Sequence, residues 1–274
     1  NVFPNFAGML QNFISSRITG ELPFEPTEQQ SQLIERLGEF VMAPEPEKVF
    51  LLKGYAGTGK TSVVSALVRA LNGLQQKTIL LAPTGRAAKV LSGYSGFPAY
   101  TIHKKIYRQK SMSEFKFQVA DNLHTNTLFI VDEASMISNT GTEGAFGSGR
   151  LLDDLVEYVY SADGCSLLLL GDTAQLPPVM QPQSPALEPG VLEAYGLKLS
   201  QFILTHVVRQ ALKSGILSQA TLLRESLSDE SETITQHPVF SLADFTDISR
   251  LSGMDLIDEI QRSYNGVGVE DTIV

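Results

Sequence analysis

The chain has 274 residues, 43% hydrophobic and 19% charged, which is enough apolar material for a sizeable core and excludes a disordered chain. Its longest aliphatic runs, residues 79–82 and 167–170, span four residues each, so neither a membrane span nor an export signal is expected, and the chain reads as a cytoplasmic globular protein. One cysteine (Cys165, expected as a small buried filler) and four scattered histidines exclude a disulfide framework and a cysteine-cluster zinc site, and the net charge of −9 speaks mildly against a nucleic-acid binder judged as a whole.

Taken in order, residues 1–26 read as an N-terminal helical segment. Residues 49–53 (VFLLK) form a strand, and residues 61–71 carry Val64, Leu67, Val68 and Leu71 at helical spacing. A strand at 78–82 (TILLA) leads into a helix start at 86–91. Residues 105–110 and 115–120 flank a short polar turn, and Phe115, Phe117 and Val119 alternate with polar residues, which predicts an inserted β-hairpin at about 104–121. Residues 128–132 (LFIVD) and 166–171 (SLLLLG) are two more strands, separated by a glycine-rich stretch at 139–149 expected to be a mobile loop. Residues 218–261 are acidic and helix-rich in pattern, and residues 271–274 resemble the opening of a further strand. Continuous apolar runs indicate strands buried on both faces, and their alternation with helices predicts an α/β protein with a doubly wound parallel sheet. Ligands of such a sheet sit at the C-terminal ends of its strands.

Charge is unevenly spread. Arg86, Lys89, Lys104, Lys105, Arg108, Lys110 and Lys116 face a single acid, Glu114, so this stretch is +6, whereas residues 218–274 total −8. That asymmetry fits one basic face and an acidic C-terminal part.

The sharpest chemical signal is Gly54-Tyr55-Ala56-Gly57-Thr58-Gly59-Lys60-Thr61, followed by Ser62, between a strand and a helix. Glycines let the backbone curl so that successive N–H groups and the helix N-terminus face a phosphate. Lys60 supplies a charge to the outer phosphates and the Thr61 hydroxyl a ligand for Mg²⁺. This is a P-loop NTPase motif, and its second requirement, a carboxylate at the end of a neighbouring strand, is met by Asp132. Glu133, one residue on, is placed to orient and deprotonate a water, which implies hydrolysis of the nucleotide. Gln175, in Gly171-Asp172-Thr173-Ala174-Gln175, follows a third strand and could sense the γ-phosphate. A GTPase switch lacks its Asn-Lys-x-Asp guanine reader in this chain, and a nucleotide kinase has no use for Glu133.

Thr27-x-x-Gln30, the P-loop, residues 82–89 (APTGRAAK), Thr101-Ile102-His103, residues 131–136 (VDEASM), residues 171–178 (GDTAQLPP) and Leu204-Thr205-x-x-x-Arg209-Gln210 occur in this order. Together they closely resemble superfamily 1 DNA helicases of the RecD-like, Dda-like branch. The resemblance implies a RecA-like motor domain over residues 27–215, with the hairpin as its small inserted domain and residues 216–274 as a helical extension and the truncated start of a second motor domain. It implies ATP and Mg²⁺ as cofactors, with Gln30 reading the adenine edge. Gly54, Ala56, Gly57, Thr58, Gly59, Lys60, Thr61 and Ser62 would bind the nucleotide, and Thr61 and Asp132 the metal. Lys60, Glu133, Gln175 and Arg209 would be the catalytic set.

Thr84, Arg86, His103, Lys104 and Phe115 would line a track for single-stranded DNA and the fork. Phe115 and Phe117 could stack on bases or instead pack the hairpin onto its host. The implied activity is an ATP-dependent helicase or translocase, 5′ to 3′ by resemblance, with other repair or replication proteins as further partners. The alternative is a P-loop ATPase switch that remodels protein or protein–DNA complexes without unwinding. No second P-loop-like core follows Gln210, so the second motor domain is expected to be missing. A chain of this extent is expected to bind nucleotide, hydrolyse it feebly and not unwind.

Overall fold

The computed structural model describes residues 4–111, 114–141, 146–179, 181–208, 214–228, 240 and 245–268. The chain divides into two compact units, Asn1–Val208 and Arg209–Val274. In the first, helices α1 (Pro4–Gly20) and α2 (Glu28–Met42) precede strand β1 (Lys48–Gly54), helix α3 (Lys60–Gly73) and strand β2 (Lys77–Ala82). Helix α4 (Gly85–Ser95), strand β3 (Ala99–Thr101) and helix α5 (Ile102–Ile106) lead to β4 (Tyr107–Ser111) and β5 (Glu114–Val119). Strand β6 (Thr127–Val131), helix α6 (Leu151–Tyr160), strand β7 (Ser166–Gly171), helix α7 (Pro189–Ala194) and strand β8 (Lys198–Leu204) complete it. The second unit contributes helices α8 (Gly215–Ser228) and α9 (Leu256–Gly266). Residues 271–274, expected to open a strand, lie outside the described residues.

Six strands form one parallel sheet in the order β3-β2-β6-β7-β1-β8. This is the doubly wound α/β arrangement that the continuous apolar runs predict. Every residue of β6 and β7 is buried. Their side chains alternate between two cores: Val49, Leu51, Phe129, Val131, Leu167 and Leu169 face one, and Phe50, Leu52, Leu128, Ile130, Leu168 and Leu170 the other. The first core is closed by α5, α6 and α7, the second by α1, α2, α3 and α4. Cys165 is buried in the first.

The four strands predicted from sequence are the four inner ones. The edges β3 and β8 escape that reading because β3 has only three residues and β8 mixes Lys198, Ser200 and Gln201 with its apolar positions. Edge strands face water on one side and are not selected for continuous apolarity.

The hairpin forms as an antiparallel pair, with Tyr107 opposite Val119 and Gln109 opposite Phe117. Lys105 and Ile106, expected in its first strand, instead belong to α5, because the Thr101 side chain accepts a hydrogen bond from Lys104 N at 3.2 Å and caps a short helix there. The glycine-rich stretch also differs from a plain mobile loop: its described ends are tied down, Asn139 to Asp153 and Ser148 to Asp154.

Candidate active site

The P-loop joins β1 to α3 at the point where the chain leaves β1 for β2, three positions away across the sheet. Gly59 is the N-cap of α3 in the left-handed region (φ 86°), and no side chain caps the helix. Its first N–H groups are therefore available to an anion. Gly54 is held against β8, where an added Cβ would stand 2.9 Å from Leu204 Cβ. Lys60 Nζ donates to the carbonyls of Gly54 and, at 2.9 Å, Tyr55. The Thr58 side chain is buried and donates to Tyr55 O at 2.8 Å, and its backbone N–H also reaches Tyr55 O at 3.3 Å.

Beneath the loop lies Gln30, 1% exposed. Its amide oxygen accepts from Thr27 N (3.0 Å) in a capping box at the start of α2, and its amide nitrogen donates to Thr58 O (3.0 Å). Gln30, expected to face the adenine edge, has its amide held under the loop by the capping box and the Thr58 carbonyl. An added Cβ on Gly59 would meet Gln30 Nε2 at 2.5 Å. Gly59→Ala is expected to destabilise the fold by about 2–4 kcal/mol, from left-handed strain plus disruption of a buried amide bond. Gly96 has a similar φ of 80° with open space around it, so Gly96→Ala carries only the strain, about 1–2 kcal/mol. Denaturant unfolding of the two variants measures the difference, and equal losses would mean that Gln30 yields freely.

At the end of β6, Asp132 donates its backbone N–H to Leu81 O (3.0 Å), while its carboxylate accepts from Glu133 N (2.9 Å) and from the Thr61 hydroxyl. Burial pushes the Asp132 carboxyl above its ordinary range, opposed by the Glu133 N–H, Lys60 and Thr61. Glu133 itself sits in the left-handed region (φ 56°), an uncommon conformation for a non-glycine residue of the kind found at functional sites. Burial and the adjacent Asp132 charge raise its carboxyl, whereas a hydrogen bond from the Gln175 side chain and the Lys60 charge lower it. The Gln175 amide is oriented by Ser135, whose hydroxyl donates to Gln175 Oε1 at 2.9 Å. The buried Asp172 carboxylate accepts from Ala174 N (2.8 Å) and shapes the turn that presents Gln175.

These groups surround a cleft of about 320 Å³ at the C-terminal strand ends. A second, largely apolar groove of about 1000 Å³ runs beside it, lined by Thr84, Arg86, Met136, Leu176 and Val179 among others. Asp132, Glu133 and Gln175 line both spaces. A hollow of about 700 Å³ lies at the opposite pole, around Lys48, Glu47 and Asp163. It is at the N-terminal ends of the strands and has no glycine loop opening a helix, so it is not where a parallel sheet binds a nucleotide.

Residues 26–237 match the AAA domain family. The chain belongs to this family. The ATP-dependent RecD2 DNA helicase of Deinococcus radiodurans is 30% identical over 196 residues, covering 71% of this chain and 23% of that protein. The ATP-dependent DNA helicase dda of Enterobacteria phage T4 is 32% identical over 151 residues, 53% of this chain and 29% of that protein. The multifunctional conjugation protein TraI of Escherichia coli K12 is 28% identical over 171 residues, 60% of this chain and 8% of that protein. The chain thus spans less than a third of each of these relatives. This AAA domain is homologous to ATP-dependent DNA helicases, and its motifs are those of the RecD- and Dda-like branch of superfamily 1.

Within the AAA domain, the structure brings Ala56, Gly57, Gly59, Lys60, Thr61, Ser62, Asp132, Glu133 and Gln175 together around one cleft, with Thr84 and Arg86 in the adjoining groove, while Gly54 and Thr58 are outside the cleft lining. The Thr84 side chain also caps α4, accepting from Ala87 N at 3.2 Å. His103 and Lys104 are on α5, outside the groove lining. His103 is half-buried among aromatic rings, and that burial lowers its pKa. Lys104 is exposed, its Nζ 6.0 Å from the Tyr100 ring centroid. Phe115 lies in β5, its side chain outside the described residues, and Arg209 lies outside them entirely. The residue before it, Val208, donates its N–H to Gly57 O at 3.0 Å, so the chain leading to Arg209 is held on the P-loop.

Sequence reasoning missed Ser135 and Asp172 as positioning residues, although both stand inside motifs it had singled out. Their roles depend on contacts with Gln175 and its turn. Among the described residues no group of three or more His, Cys, Asp or Glu forms a metal cage, and no helix is long and apolar enough to cross a membrane. A hydroxyl paired with one carboxylate beside a phosphate cradle suits Mg²⁺, which takes few protein ligands and fills its shell from phosphates and water.

Proposed function

We propose that this AAA domain is the ATP-hydrolysing motor of a DNA helicase that moves 5′ to 3′ on single-stranded DNA and separates duplex strands. The observation that carries the reading is the shared wall: Asp132, Glu133 and Gln175 border the nucleotide cleft and the groove at once. A strand lying in the groove would touch the groups that act on ATP, so occupancy of one space can alter the other. The N–H groups at the start of α3 and Lys60 hold the phosphates. Thr61 and Asp132 hold Mg²⁺, which neutralises developing phosphate charge when bound. Glu133 accepts the proton of the attacking water, its raised basicity suiting that role. Gln175 and Arg209 contact the γ-phosphate, while Gln30 supports the loop from below. Thr84 and Arg86 contact the strand in the groove, and His103, Lys104 and Phe115 extend the contact toward the fork. Such a motor acts on cellular DNA in the cytoplasm alongside other repair or replication proteins.

Steady-state ATP hydrolysis by the natural full-length protein, with and without oligothymidine, tests the reading. Stimulation by about tenfold or more is expected, corresponding to at least about 1.4 kcal/mol of barrier lowering. Hydrolysis indifferent to oligothymidine would reject the DNA motor and leave a switch that answers to protein partners.

A further inference from the structure

A two-stranded hairpin is marginally stable in water by itself and needs a surface to pack against. The β4–β5 hairpin finds that surface on residues 146–148, the described C-terminal end of the glycine-rich stretch, and on α6. Phe146 stacks on Phe117 with centroids 4.6 Å apart and planes at 18°, and its ring is also met by His103 at 5.3 Å and Tyr107 at 5.5 Å. The backbone beside it is fixed as well, with Gly147 N donating to Phe117 O at 2.8 Å. Gly147 has φ 50°, and an added Cβ would lie 2.0 Å from Asp154 Oδ2, so no side chain fits there.

Both feet of the stretch stand on the first turn of α6. Asn139 exchanges two hydrogen bonds with Asp153, accepting from its N (3.1 Å) and donating to its Oδ1 (2.8 Å). At the other foot the buried Asp154 carboxylate accepts from Ser148 N (3.0 Å) and from the Tyr107 hydroxyl (2.6 Å). Tyr107 begins β4 and Phe117 belongs to β5, so both hairpin strands are tied to one anchored segment. Phe146 is 38% exposed, which sets it apart from an ordinary core ring.

We propose that Phe146 is a positioning residue that pins the β4–β5 hairpin to the motor domain, and that strand separation depends on this pin. The pin stands on the geometry alone, and the dependence of strand separation rests on the helicase reading above. A hairpin that meets a duplex must resist the force of translocation, and a hinged one would fold away while ATP continued to be spent.

Hydrogen exchange on the 274-residue chain tests the pin, comparing wild type with Phe146→Ala and Phe146→Tyr. The alanine variant is expected to exchange the amides of β4 and β5 at least about tenfold faster, with β1 and β7 unchanged, while tyrosine restores the stack and the wild-type rates. Unchanged hairpin exchange in the alanine variant, or faster exchange throughout the core, would overturn the pin. In the natural full-length protein, Phe146→Ala is expected to cut unwinding of a forked duplex at least about fivefold with oligothymidine-stimulated hydrolysis within about twofold. Loose hairpin amides with full unwinding would overturn the dependence. A wild-type protein that hydrolyses ATP on DNA without unwinding would remove the helicase reading, and the exchange result would still decide the pin.

Discussion

Glu133→Gln is expected to lower the turnover of ATP hydrolysis by about 10²–10⁴-fold, the usual contribution of a positioned general base. The substitution preserves side-chain length and an oxygen acceptor for the Gln175 amide, so the Ser135–Gln175 chain and the β6 turn should remain in place. It also removes a carboxylate from beside Asp132, a like charge that raises the Glu133 carboxyl. Mg-ATP affinity should therefore stay within about threefold of wild type, which separates lost chemistry from lost binding. Single-turnover hydrolysis and titration with a fluorescent ATP analogue give the two numbers independently. Turnover within about threefold of wild type would move the base elsewhere, because no amide can take the proton.

Lys60→Ala is expected to weaken Mg-ATP binding by about 10–100-fold, from the loss of a charge-assisted hydrogen bond of about 1.5–3 kcal/mol. Its amine already rests on the Gly54 and Tyr55 carbonyls at the cleft, so little reorganisation precedes its transfer to a phosphate. Lys48, at the other end of β1, supplies the control. Its amine is also held by carbonyls, Phe40 (2.7 Å), Val41 (3.3 Å) and Ala43, but these are the last carbonyls of α2 and the residue that follows it. Lys48→Ala should cost about 1–3 kcal/mol of stability through those uncapped carbonyls and leave nucleotide affinity unchanged. Calorimetric titration and thermal unfolding of both variants give the comparison. Equal losses of affinity would mean that Lys60 acts through the fold and does not meet a phosphate.

The candidate nucleotide site was legible in the sequence because each of its parts is locally determined. Gly59 marks a left-handed turn that only glycine adopts cheaply, Lys60 and Thr61 open a helix straight after it, and Asp132 follows a strand whose five residues are all buried, four of them apolar. The inner strands followed for the same reason: burial on both faces writes itself as an unbroken apolar run. Edge strands β3 and β8 carry no such mark.

What only the tertiary structure decided is where side chains with more than one use point. Gln30 is the third residue of α2, and although the capping box that holds its amide oxygen is local, the bond from its amide nitrogen to Thr58 O, 28 residues away, exists only in the fold. Phe117 alternates with polar neighbours whether it meets DNA or packs inward, and the answer came from Phe146, in a stretch whose glycines suggested only mobility. Ser135 and Asp172 acquire their roles through Gln175 and the turn that carries it. Backbone conformation and burial are set by neighbours in sequence and by hydropathy, so the sequence alone determined the α/β frame and its phosphate cradle. The partner of a polar or aromatic side chain is set by which distant segment the fold delivers to it, and that the packed structure alone supplied.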